Sequence, residues 1–333
     1  MKKIALFFLV LGISLSCSED ISPVSYRYSY ETSFTVATHP NTLIVDRDNE
    51  RLFVSCSPQY LSDDYDGKIV EYNQDGVIQS TVVDFSEFTK GIFDLYMPID
   101  LALDEEHNLY ALCAPFNQET DSTWSGTHGF SILKFDRGNQ FKREYDFSGQ
   151  EFCSFATSMA YHAGSLYVMK CSILSKIDVT SGQADDIFIS DNEYANFSTA
   201  FATDMEINSQ GDVYLTGQAA FNHESVGCFI MKLNLSGTHH TTFFSEKRTS
   251  FVAANIGQPG LGLDSNGDVY LASFYSKTLE LFDRDNQFIG MLEFGQEYCL
   301  PIDVAVDNKN MYIADTMNDV IYIYKKIRRG RVE

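Results

Sequence analysis

A closed ring of six four-stranded antiparallel sheets, an all-β six-bladed β-propeller, is the fold class this sequence predicts, and three observations predict it. A two-strand phrase recurs six times, most clearly as Pro301-Ile302-Asp303-Val304-Ala305-Val306-Asp307 with Met311-Tyr312-Ile313-Ala314-Asp315, and as Pro98-Ile99-Asp100-Leu101-Ala102-Leu103-Asp104 with Leu109-Tyr110-Ala111-Leu112. The aromatic of its second run recurs as Phe53, Tyr110, Tyr167, Tyr214, Tyr270 and Tyr312, at intervals of 42 to 57 residues. Such periods, with about four strands per unit, mark propeller blades, the longer intervals carrying loop insertions. The third observation concerns the two ends of the chain. The sixth copy lacks a good fourth strand after Tyr324, whereas Tyr26, Tyr28, Tyr30, Thr32, Phe34 and Val36 near the N-terminus alternate with period two. An N-terminal strand completing the last blade would close the ring and cover a bare sheet edge.

The elements follow in order. Residues 42–46, 100–104, 158–162, 204–208, 260–264 and 303–307 align as the first strand of each blade by their apolar alternation. The recurring aromatic centres the second strand. Residues 68–72, 131–135, 228–233, 278–282 and 320–324 read as third strands, with Asp75-Gly76, Ser181-Gly182 and Ser236-Gly237 as turn signals. Asp264-Ser265-Asn266-Gly267-Asp268 begins like a calcium loop, but Tyr275 stands where the last ligand should be, so it reads as a turn.

The chain has 333 residues, of which 14% are aromatic, which suits packed sheets. Its formal charge of −22 excludes an electrostatic route to nucleic acid. Only Lys325, Lys326, Arg328, Arg329 and Arg331 form a basic cluster, expected to be a solvated end. Lys2 and Lys3 precede the apolar run 4–13, which is too short to span a bilayer and has the shape of a signal-peptide core. Ser14-Leu15-Ser16-Cys17 resembles the lipobox of bacterial lipoproteins, which implies acylation of Cys17. The expected organisation is a leader over 1–16, a tether over 17–24, the propeller over 25–327 and a basic tail over 328–333. The chain would then be a monomer of the cell envelope, an outer-membrane lipoprotein held by its N-terminal lipid alone, on the periplasmic or the surface side. Six further cysteines, Cys56, Cys113, Cys153, Cys171, Cys228 and Cys299, are compatible with disulfides or with packed thiols.

The phrase at Pro301 to Asp307, with Tyr312-Ile313-Ala314-Asp315-Thr316-Met317-Asn318, resembles that of NHL-repeat propellers. The chain is also similar to the six-bladed propeller lipoproteins of Gram-negative bacteria. Relatives with this fold include binding scaffolds and enzymes such as lyases and lactonases, so the resemblance implies a fold and leaves the activity open.

Two sets of residues are candidates for a site. Thr42, Asp100, Ser158, Asp204, Gly260 and Asp303 begin the innermost strands and should ring the central channel. Asp100, Asp204 and Asp303 would repel one another there and need a cation, water or protons to coexist. One reading makes them ligands of Ca2+ or another hard cation; the other makes each a cap on its local turn. The second set is the aromatic-rich segments between second and third strands, which should lie on the same face: Tyr60 and Tyr65 in blade one, Phe116, Trp124 and His128 in blade two, Phe221 and His223 in blade four. Aromatics beside carboxylates suit sugar rings or cationic groups. The expected function is therefore non-enzymatic binding of a glycan, peptide or protein at the loop-rich channel face. The alternative is a metal-assisted lyase or lactonase at the channel.

Overall fold

The computed structural model describes residues 26–36, 39–57, 67–92, 95–116, 129–147, 156–170, 173–188, 202–221, 225–250, 259–274, 276–294 and 299–328. Its strands form six antiparallel sheets of four. Blade one holds β2 (Pro40–Asp46), β3 (Arg51–Cys56), β4 (Lys68–Asn73) and β5 (Ile78–Asp84); blade two holds β6 (Leu95–Leu103), β7 (Leu109–Phe116), β8 (Ser131–Phe135) and β9 (Phe141–Asp146). Blade three is β10 (Ala156–His162) to β13 (Ala184–Phe188), with β11 (Ser165–Lys170) and β12 (Ile173–Asp178) between. Blade four is β14 (Ala202–Ile207), β15 (Asp212–Phe221), β16 (Ser225–Asn234) and β17 (His239–Ser250); blade five is β18 (Gly260–Leu263), β19 (Val269–Ser273), β20 (Thr278–Phe282) and β21 (Phe288–Glu293). Blade six consists of β22 (Pro301–Val306), β23 (Asn310–Asp315) and β24 (Val320–Arg328), with β1 (Tyr26–Thr35) as its outer strand.

The expected closure is present: β1 runs antiparallel to β24, from Tyr26 opposite Arg328 to Thr35 opposite Val320. The third strand of blade six, however, does not end at Tyr324. It continues to Arg328, because β1 supplies hydrogen-bonding partners along its length. Two lysines expected to be solvated are thereby held in the fold. Lys325 Nζ pairs with Glu31 at 2.8 Å, and Lys326 Nζ pairs with Asp264 at 2.7 Å with both side chains buried. Tyr28 adds a second tie to blade five through its hydroxyl, 2.5 Å from that of Tyr270.

The core is a set of sandwiches between neighbouring blades. Alternation along each inner strand sends successive side chains to opposite blades. Leu101 packs with Phe53 and Ile69 of blade one, whereas Ala102 packs with Met159 and Leu166 of blade three. The six ruler aromatics are all buried. Their tyrosines explain the Asp–Tyr pairing in the phrase. Tyr110 donates to Asp104, Tyr270 to Asp264 and Tyr312 to Asp307, so each buried hydroxyl is satisfied by the carboxylate that caps the first turn of its own blade. The same carboxylates accept backbone N–H groups across that turn, as Asp264 does from Asn266 and Asp268. Gly267, at φ 85°, completes the turn, as expected for residues 264–268.

Cys56 and Cys113 occupy equivalent positions, opposite Pro40 and Pro98. With Cys228 and Cys299 they are buried thiols. Cys17, Cys153 and Cys171 lie outside the described residues. No helix among the described residues is long and apolar enough to cross a membrane.

Candidate functional site

Five of the six inner strands carry an irregularity that the sequence does not advertise. Their register shifts between Pro40 and Thr42, Pro98 and Asp100, Ala156 and Ser158, Ala202 and Asp204, and Pro301 and Asp303. A β-bulge of this kind inserts an unpaired residue and re-aims the next side chain. Here it stands directly before the ring position. The bulged residues tie blades together: Asn41 donates to the carbonyls of Pro98 and Ile99, and Thr203 donates to that of Pro259.

The ring alternates in function as well as in residue type. Asp100 accepts the N–H of Leu101 at 2.7 Å on one oxygen and that of Met159, in blade three, at 2.6 Å on the other. Asp204 does the same with Met205 and with Leu261 of blade five, and Asp303 with Val304 and with Leu43 of blade one. Each even-numbered blade thus reaches across and holds the backbone of the next. The expected alternative, an Asp capping its local turn, is replaced by a clasp between blades. Odd-numbered blades carry small residues that make room for the following Asp. Thr42 donates to Asp100 at 3.1 Å, and Gly260 lies so close to Asp303 that a Cβ there would stand 2.5 Å from its Cα and 2.3 Å from the Ile302 carbonyl oxygen.

The three carboxyls line a central cavity of about 120 Å³, together with Thr42, Glu206 and Tyr161. Burial raises all three, because charge is costly where water is scarce. Asp204 is pushed up to about 6. Asp100 and Asp303 rise well above the ordinary range, through burial and then through the charge of Asp204. Glu206 is raised to about 8 by burial and by Asp204, against the pull of Arg47. Burial, and for Asp100 and Asp303 the charge of Asp204, thus opposes ionisation of the three ring acids together. Both oxygens of each ring Asp are taken up by backbone N–H groups. Among the described residues no group of three or more His, Cys, Asp or Glu is placed to hold a metal ion.

Glu206 and Arg47 were not among the residues singled out from the sequence. Glu206 had a readable signal: it lies two residues beyond the ring position, where the other blades have Ile44, Ala102, Ala160, Gly262 and Ala305. Arg47 follows β2 toward the opposite mouth of the channel, and donates to the carbonyls of Val306 at 3.0 Å and Leu263 at 2.5 Å.

The rim is uneven. In blade two, pairing between β6 and β7 continues past the ring, through Pro98 and Cys113, to Leu95 and Phe116. In blade four, the stretch 217–227 is not a loop insertion but a continuation of β15 and β16, paired as far as Phe221 and Ser225, with β17 following to Ser250. The other described inner strands stop at or within two residues of the ring. These extensions rise on the same face as Asp100, Asp204 and Asp303, since the start of each inner strand pairs with the end of the second. Phe116 and Phe221 end β7 and β15; Tyr60, Tyr65, Trp124, His128 and His223 lie outside the described residues.

No family model and no curated protein matches this sequence. Solved structures match its fold. A catalytically inactive virginiamycin B lyase from Staphylococcus aureus, with quinupristin, is 10% identical at a TM-score of 0.54, covering 92% of this chain and 100% of that one. The Swd1 β-propeller domain of Myceliophteria thermophila is 11% identical at 0.51, covering 90% and 99%. Raptor of Chaetomium thermophilum is 10% identical at 0.52, covering 92% of this chain and 30% of its own. At these identities the likeness shows the fold alone: the chain is a six-bladed β-propeller.

Proposed function

We propose that this chain is a non-enzymatic binding scaffold of the cell envelope, tethered through a lipid on Cys17, that takes a glycan, peptide or protein partner on the channel face. The observation that supports this most is the uneven rim. Among the described residues, only blades two and four carry paired strands well beyond the ring, ending at Phe116 and Phe221 on the channel face. Raised, rigidly paired strands around one mouth of a ring hold loops in fixed positions, which is what a binding face needs. The channel acids, by contrast, are engaged in holding blades together.

Screening the protein on glycan and peptide arrays tests the reading, with Trp124→Ala and a deletion of 118–127 as variants. A ligand whose affinity falls in both is expected; a ligand bound equally by all three proteins would move the site elsewhere. Palmitate labelling of wild type against Cys17→Ala tests the tether, and equal labelling removes it. Metal-assisted lyase or lactonase chemistry on Asp100, Asp204 and Asp303 has weaker support, because their oxygens already accept backbone hydrogen bonds. Calorimetric titration with Ca2+ after chelator treatment checks it, and strong binding at those residues would revive it.

A further inference from the structure

The strand pair that closes the ring also carries the one dense basic run of the sequence. Lys325, Lys326, Arg328, Arg329 and Arg331 fall within seven residues that include no acid, in a chain of formal charge −22. Pairing between β23 and β24 ends at Asn310 and Lys325, followed by one bond from the Lys326 N–H to the Lys309 carbonyl. Past that point β24 pairs with β1, Ile327 opposite Arg27 and Arg328 opposite Tyr26. The last rungs are therefore a two-stranded ribbon that continues beyond the turn between β22 and β23. That turn lies at the end of the blade opposite the rim: Val306 pairs with Met311 there, whereas Pro301 pairs with Asp315 at the channel face.

Two of the cations are met inside the fold, Lys326 by Asp264 at 2.7 Å and Lys325 by Glu31 at 2.8 Å. Arg27 and Arg328 stand on the last rungs, and Arg329 and Arg331 follow in the sequence. The same ribbon receives the tether. Cys17 precedes Tyr26 by nine residues, a stretch that reaches at most about 32 Å when fully extended. Strand register thus brings the basic run to the point where the tether joins the propeller.

We propose that this ribbon end is a contact for an anionic phospholipid surface, which sets the turn face of the propeller against the bilayer and the rim away from it. A lipid on a tether limits distance but leaves every face free to turn toward the membrane. Charge removes that freedom. The rest of the chain is acidic and is repelled by anionic headgroups, whereas each cation near such a surface is attracted within about a Debye length. All four cations named on or after the last rungs are arginines, whose planar fork suits the paired oxygens of a phosphate. Glu19 and Asp20 in the tether offset part of this charge. The rim then points outward, where a glycan, peptide or protein can reach it. The orientation rests on the lipid tether at Cys17 proposed above; the charge contact does not, and it is measured without the lipid.

The test uses the purified full chain with Cys17→Ala, sedimented with vesicles of phosphatidylcholine alone or with about 30% phosphatidylglycerol, at low and high salt. Tighter binding to the anionic vesicles, lost at high salt, is expected. Arg329→Gln with Arg331→Gln leaves the paired strands untouched and should weaken that binding by about tenfold or more. Lys2 and Lys3 are the same in both proteins, so the comparison reads the basic end. Equal binding to the two vesicle types, or equal binding of the double variant, would overturn the contact. The single Trp, Trp124, lies between β7 and β8 on the rim side and reports orientation. Its fluorescence on anionic vesicles should be unaffected by spin-labelled lipid, and quenching would place the rim at the bilayer and overturn the orientation. A failed palmitate labelling with intact charge-dependent binding removes the tether alone, and the reverse result removes the contact alone.

Discussion

The two ends of the inner strands use the same residue type for opposite purposes. At the loop-bearing end, Asp100, Asp204 and Asp303 look outward from their own blades and hold the backbone of the next. At the other end, Asp104, Asp264 and Asp307 look inward, holding the first turn and the tyrosine hydroxyl of the same blade. One end makes the circle and the other makes the blade. Their electrostatics differ accordingly. The ring acids are raised by burial among one another. Asp46, at the turn end of blade one, is held low, because hydrogen bonds from Arg51 and Asn49 outweigh the cost of its burial.

The largest expected effect comes from opening the circle itself. Deleting residues 25–36 removes β1, leaves β24 as an unpaired edge and breaks the tie to Tyr270. Cooperative thermal unfolding should be lost, and an unchanged melting transition would show that closure lies elsewhere. The next effect separates the ring from the turns by size. Gly260→Ala drives a Cβ into the Ile302 carbonyl and the Asp303 backbone, neither of which can swing aside. It should destabilise by about 1–3 kcal/mol, the range for overpacking, whereas Gly290→Ala, with open space around it, should change little. Equal denaturant midpoints for the two variants would contradict the tight junction.

Titration sharpens the contrast further. A carboxyl whose folded value is raised stabilises the fold below its unfolded value and loses that contribution as pH rises through the folded one. For Asp204 and Glu206 the loss runs from about pH 4 to about pH 8. A lowered carboxyl does the reverse. Asp46 contributes above its ordinary value of 3.8, and the contribution disappears as pH falls through the depressed folded value. Melting temperatures across pH should thus decline toward the alkaline side less steeply in Asp204→Asn, and toward the acid side less steeply in Asp46→Asn. A pair of variants with the wild-type profile would remove the distinction. The smallest effect is expected at Ser158→Ala, which removes a buried unpaired hydroxyl and should leave stability unchanged or raise it by a few tenths of a kcal/mol. A clear loss would mean that the hydroxyl has a partner in solution.

Much of this was legible in the residues. The two-strand phrase named the six blades by its alternation and its buried aromatic, and in blades two, five and six its chemistry is local: the Asp caps a turn a few residues away and the Tyr is its partner across one hairpin. The period-two run from Tyr26 to Val36 pointed to closure, because an unpaired strand and a three-stranded last blade each lack what the other supplies. The ring positions were legible too, as the first residue of each copy. What they do was not. Asp100 holds Met159, 59 residues away, and Asp303 holds Leu43, 260 residues away. Such partners exist only once the blades are set at their angle around the axis.

By itself, then, the sequence determined the number of blades, the strand order and the burial of the ruler aromatics, since alternation and turn chemistry act within a few residues. Only the tertiary structure decided that Thr42, Asp100, Asp204 and Asp303, each following a bulge, face one cavity, that small residues alternate with clasping acids, and that Lys326 finds Asp264. It also decided that Glu206, beside Asp204 on β14, comes within the electrostatic reach of Arg47. The physical reason is burial: the pairing of a carboxyl, and therefore its proton, depends on which other charges the closed ring excludes from water beside it.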